Sequence, residues 1–191
     1  MSYQNQKKKY YLISEESGKI ENENKNGCWI IDPIDGTTNF LNGIPHFAIS
    51  IALKIKNEII SGVIYDPIKD EMFYAEKNNG AYLNNKRIRV SKKNNVDNCL
   101  FATGGKNEIK TKLNIRKFGS ASLDLAYVAA GRYDGFFQKN LSLWDVAAGL
   151  ILIKESGGKV NEINLERNNN VKICASNNSI HEKMLNNIDN F

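Results

Sequence analysis

The chain has 191 residues, of which 41% are hydrophobic and 25% are charged, a composition typical of a soluble globular protein. Its net charge of +5 favours anions in general, but no arginine-rich helix or aromatic-basic array indicates a nucleic-acid site. The apolar runs are too short to span a bilayer, and no signal-peptide pattern follows Lys7–Lys9. We therefore expect a cytoplasmic protein that binds neither nucleic acid nor membrane. Its scattered cysteines predict reduced thiols, since they form no CxxC pair.

Short apolar runs separated by polar segments predict that the first half of the chain consists of strands. Ser17–Asn26 is polar and predicts a surface loop. Asn84 and Asn85 predict a turn, because Asn tolerates the left-handed backbone conformation. The predicted strands are Tyr10–Ser14, Cys28–Asp32, Phe47–Lys56, Glu58–Asp66, Glu71–Glu76 and Arg87–Val90.

Helices alternate with strands in the second half. The predicted helices are Ser122–Ala130, Leu143–Ser156 with Ser142 as its cap, and Ser179–Ile188 with a capping box formed by Ser179 and Glu182. The predicted strands are Leu100–Thr103, Ile115–Phe118, Gly135–Gln138, Lys159–Glu162 and Val171–Ala175. These patterns predict a layered, mixed α/β (α+β) protein. We expect a strand-rich lobe over residues 1–97 and an alternating lobe over residues 98–191, which together form one domain.

The segment Trp29–Phe40 carries the densest chemical signal. A buried strand is expected to deliver Asp32 to its end, where Pro33 imposes an extended or turning backbone and allows Asp35 to converge on Asp32. Two carboxylates in contact repel each other unless a cation lies between them. Because no His or Cys is nearby, these hard oxygen ligands favour Mg²⁺.

Gly36 permits a tight turn after these carboxylates, and Thr37–Phe40 can begin a short helix. The free N–H groups at a helix start attract anions such as phosphate. Taken alone, the same string is also a good turn and helix cap without any catalytic role. Two distant candidates can complete a metal site, although each has a plain alternative. Glu15 follows the first strand and can lie in a solvated turn, and Asp145 can simply compensate a helix dipole.

Taken together, these residues resemble the inositol monophosphatase family. The family carries a Glu-Glu pair after a strand, then the Trp-Ile-Ile-Asp-Pro-Ile-Asp-Gly-Thr-Thr-Asn-Phe motif, then Trp-Asp-x-Ala-Ala-Gly before a helix that ends in Glu-x-Gly-Gly. The corresponding stretches here are Ser14–Ser17, Trp29–Phe40, Trp144–Gly149 and Glu155–Gly158. The resemblance covers essentially the whole chain from Tyr10 onward, and two long motifs in the right order are highly specific.

The resemblance implies a layered α/β sandwich with a magnesium site that hydrolyses phosphate esters. It implies that Glu15, Asp32 and the Ile34 carbonyl hold one Mg²⁺, and that Asp32, Asp35 and Asp145 hold a second. The catalytic residues that it implies are Glu15, Asp35 and Thr37, with Thr37 orienting the attacking water. The substrate-binding residues that it implies are Ile34, Asp35, Gly36, Thr37, Gly119, Ser120, Ala121, Gln138 and Asp145.

The sequence departs from this family in identifiable places. Family members carry helices before the first strand, with a lysine and an aspartate linked to a third metal, and these have no counterpart here. We therefore expect an apolar sheet face that is uncovered unless another chain covers it. Gln138 stands where inositol phosphatases place a Glu, and Ser14 stands where Gly is usual. Trp29 and Trp144 each precede a proposed ligand and are expected to pack in the core.

The sequence thus predicts a Mg²⁺-dependent hydrolase of a small phosphate monoester, with myo-inositol 1-phosphate as the leading substrate and a homodimer as a possible assembly. Sister activities on 3′-phosphonucleotides, fructose bisphosphate or histidinol phosphate stay open. A catalytically impaired or silent relative that acts as a binding or regulatory protein is the alternative from a different class.

Overall fold

A computed structural model of the chain describes residues 10–16, 18–20, 27–105 and 111–188. The first half forms a mixed, mostly antiparallel sheet in the order β2-β1-β3-β4-β5-β6-β7-β8. Only the pair of β1 and β3 is parallel in this sheet among the described residues. Its strands are β1 (Tyr11–Ser14), β2 (Gly18–Ile20), β3 (Gly27–Asp35), β4 (Ala48–Ile55), β5 (Glu58–Asp66), β6 (Glu71–Glu76), β7 (Gly80–Leu83) and β8 (Lys86–Arg87).

The second half forms a smaller sheet in the order β10-β9-β11-β13-β12. Its strands are β9 (Phe101–Ala102), β10 (Ile115–Arg116), β11 (Gly135–Leu141), β12 (Gly158–Val160) and β13 (Val171–Asn177). The helices are α1 (Thr37–Leu41), α2 (Ala121–Ala129), α3 (Leu143–Glu155) and α4 (His181–Leu185), with a short 3₁₀ turn at Val96–Asn98. None of the helices in these described segments is long and apolar enough to cross a membrane.

Helices α2 and α3 pack against each other and contact strands of both sheets. Both helices are apolar around most of their circumference, as expected for helices that are buried between two layers. Two glycines allow this close packing. A Cβ atom on Gly62 of β5 would lie 2.9 Å from the Cα of Ala148, and one on Gly149 would lie 2.4 Å from a methyl of Leu125. The mixed α+β layered architecture predicted from the sequence is confirmed, whereas the lobe boundary at residue 97 stays a prediction.

Alternation along β3 corrects one expectation about the core. Cys28 and Ile30 point inward and are fully buried, so Trp29 points to the opposite face of the sheet, where 41% of it is exposed. The prediction that Trp29 packs in the core is therefore wrong. Trp144, by contrast, is partly buried and packs against the main hydrophobic core, as predicted.

Several element boundaries also differ from the prediction. Strand β3 does not stop at Asp32 but continues through Pro33 to Asp35, because a register irregularity accommodates the proline beside β4. Strand β2 lies within the predicted loop Ser17–Asn26, whose residues 17 and 21–26 lie outside the described residues. The predicted turn at Asn84 and Asn85 is confirmed by positive φ angles of 43° and 67°.

The last helix is shorter than predicted and starts differently. It spans His181–Leu185 with Ile180 as the N-cap, and no side chain caps it. The predicted capping box of Ser179 and Glu182 is therefore wrong. The Asn177 side chain instead accepts hydrogen bonds from the N–H groups of Ser179 and Ile180. This Asx-type turn satisfies the backbone just before the helix.

Candidate metal centre

The end of β3 places two carboxylates beside each other. Asp32 pairs with Ser50 and Asp35 pairs with Ala48, so two residues of β3, Pro33 and Ile34, lie opposite the single residue Ile49 of β4. The Asp32 carboxylate accepts a hydrogen bond of 2.9 Å from the Ile34 N–H, which holds this bulge in shape. Both Asp32 and Asp35 are buried as a result, with exposed fractions of 1% and 7%.

Gly36 turns the chain from β3 into α1. Its φ of 92° lies in the left-handed region, and a Cβ atom there would approach the His46 carbonyl to 3.1 Å and the Gly119 carbonyl to 3.3 Å. A side chain at this position is therefore excluded by strain and by space. The Thr37 hydroxyl donates to the Ile34 carbonyl at 2.9 Å, and no side chain caps the first turn of α1. The first N–H groups of this helix thus lack a side-chain acceptor.

The third carboxylate comes from the start of α3. Asp145 lies in the first turn, where its Oδ2 accepts a hydrogen bond of 2.7 Å from the backbone N–H of Ser142, the N-cap residue. The Ser122 hydroxyl donates to the Asp145 carbonyl at 3.0 Å, which fixes the start of α3 against α2. Residues at the starts of α2 and α3 therefore together fix the position of Asp145.

Residues at the start of α2 donate hydrogen bonds to the Asp35 carboxylate. A single oxygen, Oδ2, accepts hydrogen bonds from the Ser120 hydroxyl at 2.5 Å and from the Ser122 N–H at 2.7 Å. Ser120 also caps α2, because its Oγ accepts from the Leu123 N–H. These bonds fix the orientation of the Asp35 carboxylate.

Carboxylate oxygens of Asp32, Asp35 and Asp145 all lie within 4.8 Å of one another. Burial raises the pKa of Asp32 to about 8, and the charges of Asp35 and Glu15 add to the rise. Burial likewise raises the pKa of Asp145 to about 7 and that of Asp35 to about 6. A divalent cation among these carboxylates would favour their charged forms and so oppose the effect of burial. An all-oxygen donor set of carboxylates fits Mg²⁺, which binds through few carboxylates and retains waters.

Glu15 reaches the same edge of the sheet, as the sequence predicts for a strand parallel to β3. Ser14 pairs with Ile31, and the Glu15 N–H donates to the Ile31 carbonyl. The charge of Glu15 raises the pKa values of both Asp32 and Asp145, which places it within electrostatic range of both. Its side chain is exposed and does not belong to the close triad. Its role as a metal ligand or catalytic residue stays a prediction.

The predicted substrate-binding residues fall into two groups. Gly119 lies against Gly36, as its carbonyl contact shows, so these two glycines border the same space beside the triad. Ser120 and Ala121 follow at the start of α2, although the Ser120 hydroxyl is engaged by Asp35. Gln138 lies on β11 in the second sheet, where its amide packs on Gly104: a Cβ atom there would lie 2.4 Å from Oε1.

Two contributors to the site were missed by sequence reasoning. Ser122 supplies both a backbone donor to Asp35 and a hydroxyl donor to Asp145. The Asn39 side chain donates to the carbonyls of His46 and Phe118, at 2.8 and 2.7 Å, and so ties α1 to the segment before Gly119. The position of Ser122 at the start of the predicted helix Ser122–Ala130 was the available signal for this residue. Nothing local in the sequence indicates the partners of Asn39, which lie 7 and 79 residues away.

Comparison with known proteins places this arrangement in a family. The model of the inositol monophosphatase family matches residues 2–190. The chain belongs to the inositol monophosphatase family. An inositol-1-monophosphatase of Caulobacter vibrioides is 44% identical over 196 aligned residues, which cover 92% of this chain and 77% of that protein. The family membership supports a general phosphatase function.

Other members of the family carry a different name. The Nus factor SuhB of Escherichia coli strain K12 is 46% identical over 166 residues, which cover 79% of this chain and 62% of that protein. Among solved structures, an extragenic suppressor protein suhB from Bartonella henselae superposes with a TM-score of 0.85 at 41% identity, covering 95% of this chain and 76% of that one. The chain thus spans less than the full length of each of these relatives, in one case less than two thirds.

Proposed function

We propose that the protein hydrolyses a small phosphate monoester with the help of Mg²⁺, and that myo-inositol 1-phosphate is the leading substrate. The observation that carries this proposal is the triad of Asp32, Asp35 and Asp145, whose carboxylate oxygens lie within 4.8 Å of one another and of which Asp32 and Asp35 are buried. Family membership and the phosphatase name of several relatives support the same chemistry.

The residues of the chain have distinct parts in this proposal. Asp32, Asp35 and Asp145 would hold one Mg²⁺, and Glu15, Asp32 and the Ile34 carbonyl would hold another. Bound Mg²⁺ would lower the pKa of a coordinated water and stabilise the oxygen that leaves the phosphorus. Ser120 and Ser122 keep Asp35 oriented, and the Ser142 N–H does the same for Asp145.

The substrate would lie between α1 and α2. The N–H groups of Gly36 and Thr37 would bind its phosphate, because they are positioned at a helix start without a capping side chain. The Thr37 hydroxyl, which donates to the Ile34 carbonyl, would orient the attacking water by accepting a hydrogen bond from it. Gly119, Ser120 and Ala121 would contact the alcohol part of the substrate, and Gln138 would bind a hydroxyl.

Phosphate release from a panel of monoesters tests the proposal. The panel contains myo-inositol 1-phosphate, a 3′-phosphonucleotide, fructose 1,6-bisphosphate and histidinol phosphate, each with Mg²⁺ and with EDTA. We expect Mg²⁺-dependent release, fastest with the inositol ester. Absence of release from every ester, with a folded sample, would contradict the enzymatic proposal.

A non-catalytic role is the second candidate, because several relatives of comparable identity are named Nus factor SuhB rather than phosphatase. This candidate predicts a folded chain that binds Mg²⁺ without turning over any ester in the panel. A cytoplasmic location and a homodimer are further predictions from the sequence and its family resemblance.

A further inference from the structure

Lys54 is a buried lysine that lies outside the metal centre. It belongs to the inward-facing row of β4, together with Ala48, Ser50 and Ala52, and only 6% of it is exposed. Its Nζ donates a hydrogen bond of 2.8 Å to the carbonyl oxygen of Leu165. None of the ion pairs found among the described residues includes Lys54. The buried ammonium group is therefore held by a neutral acceptor.

Burial of a lysine in this way is a poor means of stabilising a fold. An ammonium group loses its hydration when it is buried, and one carbonyl acceptor does not fully replace that hydration. Replacing buried charged groups by well-packed apolar side chains of similar volume is often neutral or stabilising. The role of Lys54 therefore lies in the segment that its hydrogen bond holds in place.

Leu165 belongs to the segment of residues 161–170, which connects β12 to β13. Ile163 and Leu165 pack against the main hydrophobic core, but a cavity of about 260 Å³ lies beside them and is also lined by Ile59 of β5 and Leu150 of α3. Side-chain packing around this part of the segment is therefore incomplete. A directional bond from β4, a strand that is paired on both sides, fixes the backbone of the segment where packing alone does not.

Three residues after Leu165, the same segment reaches the start of α3. The carbonyl of Asn168 accepts a hydrogen bond of 2.8 Å from the N–H of Leu143, the first residue of this helix. The first N–H groups of a helix have no partner within the helix, so this carbonyl supplies one from outside. The segment thus holds the start of α3 two residues before Asp145, a member of the triad.

Strand β4 also contacts the start of α3 directly. Ser50, four residues before Lys54 on the same row, donates to the carbonyl of Trp144 at 3.4 Å. Ser50 pairs with Asp32 in the register of β3 and β4. The strand that borders Asp32 therefore also supports the start of α3, and the segment 161–170 is the second support between them.

We propose that Lys54 is a positioning residue for the metal centre: it fixes the segment 161–170, which in turn sets the place of Asp145 among the three aspartates. This proposal rests on the proposed function, because it requires that the triad binds a cation. Asp35 is held separately by residues at the start of α2. Loss of the bond from Lys54 to Leu165 should therefore displace Asp145 relative to Asp35.

Magnesium binding by Lys54→Met tests the proposal, because methionine keeps most of the side-chain length and removes the donor. We expect the Mg²⁺ affinity in calorimetric titration to fall about 10-fold, at the lower end of the range for groups that orient a metal ligand. Thermal unfolding in EDTA should occur no earlier than in the unmodified chain, since the variant buries no ammonium group. Lys54→Arg keeps a charged donor and should retain most of the affinity. Lys86→Met, at an exposed position of β8, is the matched control and should bind Mg²⁺ like the unmodified chain.

Two further measurements separate positioning from a general effect on the fold. Without metal, hydrogen exchange of the Leu143 amide should speed up about 10-fold in Lys54→Met, because its acceptor on Asn168 is no longer held in place. In an Asp145→Asn background, Lys54→Met should leave the remaining Mg²⁺ affinity unchanged, since the residue through which it acts is already altered.

The outcomes distinguish this proposal from the proposed function. Lys54→Met that binds Mg²⁺ as tightly as the unmodified chain, exchanges the Leu143 amide at the same rate, or unfolds clearly earlier in EDTA would overturn the positioning role alone. An equal loss of affinity in the Asp145→Asn background would overturn it as well. An unmodified chain that binds no Mg²⁺ would overturn both proposals.

Discussion

The hydroxyl of Ser120 and the carboxylate of Asp35 are joined by a hydrogen bond of 2.5 Å that links the start of α2 to the end of β3. The same hydroxyl oxygen accepts the Leu123 N–H and caps α2. One serine therefore serves both the stability of a buried helix and the orientation of a proposed metal ligand.

Ser120→Ala should lower both stability and Mg²⁺ affinity. The lost cap should cost about 1 kcal/mol in the free energy of unfolding. The lost support of Asp35 should weaken Mg²⁺ binding about 10–100-fold. Calorimetric titration and denaturant unfolding measure the two effects. Ser142→Ala is the matched control at another helix N-cap, because it retains the backbone N–H that donates to Asp145 and should leave Mg²⁺ affinity close to that of the unmodified chain. Equal loss of affinity in both variants would contradict this role of Ser120.

Asp35→Asn and Asp145→Asn should each abolish turnover while the fold persists. Each change removes a charge from the proposed site, and it also removes repulsion among buried carboxylates, so the metal-free protein should melt no earlier than the unmodified one. Phosphate release and thermal unfolding in EDTA measure the two quantities. Asp97→Asn, at an exposed position of the 3₁₀ turn, is the control and should retain full activity. Retained turnover in a triad variant would remove that residue from the site.

The stability of the metal-free chain should fall as the pH rises from about 5 to about 9. The pKa values of Asp35, Asp145 and Asp32 are raised to about 6, 7 and 8 from an ordinary value of 3.8. The folded state therefore retains protons that the unfolded state has lost, and this stabilising contribution disappears as the pH rises through the folded-state values.

Thermal unfolding in EDTA across this pH range measures that trend. Asp145→Asn should flatten it, because one of the three titrating groups is absent. Added Mg²⁺ should stabilise the chain more at pH 8.5 than at pH 5.5, since it binds the deprotonated carboxylates. Stability that rises steadily with pH in EDTA, equally in both proteins, would contradict the proposed environment of the triad.

Asn39→Ala should impair substrate binding more than metal binding. The Asn39 amide ties α1 to the carbonyls of His46 and Phe118, and so holds Gly119 beside Gly36. Loss of these two hydrogen bonds, one partly buried and one exposed, should cost about 1–3 kcal/mol, and we expect most of this cost to appear as a higher KM. Steady-state kinetics and Mg²⁺ titration separate the two effects. A loss of Mg²⁺ affinity as large as the rise in KM would contradict this assignment.

Much of the fold follows from local patterns in the sequence. Alternating apolar residues predicted most strands of the first sheet, and the apolar run that begins after Ser142 predicted α3 closely. The errors arose where tertiary contacts decide the outcome. Proline usually ends a strand, but Pro33 lies in a bulge that β4 tolerates. Trp29 was assigned to the core because it is large and aromatic, whereas its position between two inward-pointing residues places it on the opposite, exposed face of the sheet.

The sequence predicts the acidic residues of the candidate site, but it does not predict the residues that orient them. Asp32 and Asp35 are close in sequence, and Asp145 lies in the second family motif. The sequence alone therefore predicts all three members of the triad. The partners of Asp35 could not be found in this way, because Ser120 and Ser122 lie 85 and 87 residues from it. Only the packing of α2 against the end of β3 reveals that these serines orient the carboxylate.

The most direct test of the central claim is an anomalous diffraction measurement on crystals soaked in Mn²⁺, which takes the same oxygen ligands as Mg²⁺. The account predicts an anomalous peak bounded by the carboxylates of Asp32, Asp35 and Asp145, and its loss in Asp35→Asn crystals that are soaked in parallel. Crystals that show Mn²⁺ elsewhere on the protein but no peak within the triad would contradict the claim that these aspartates form a metal centre.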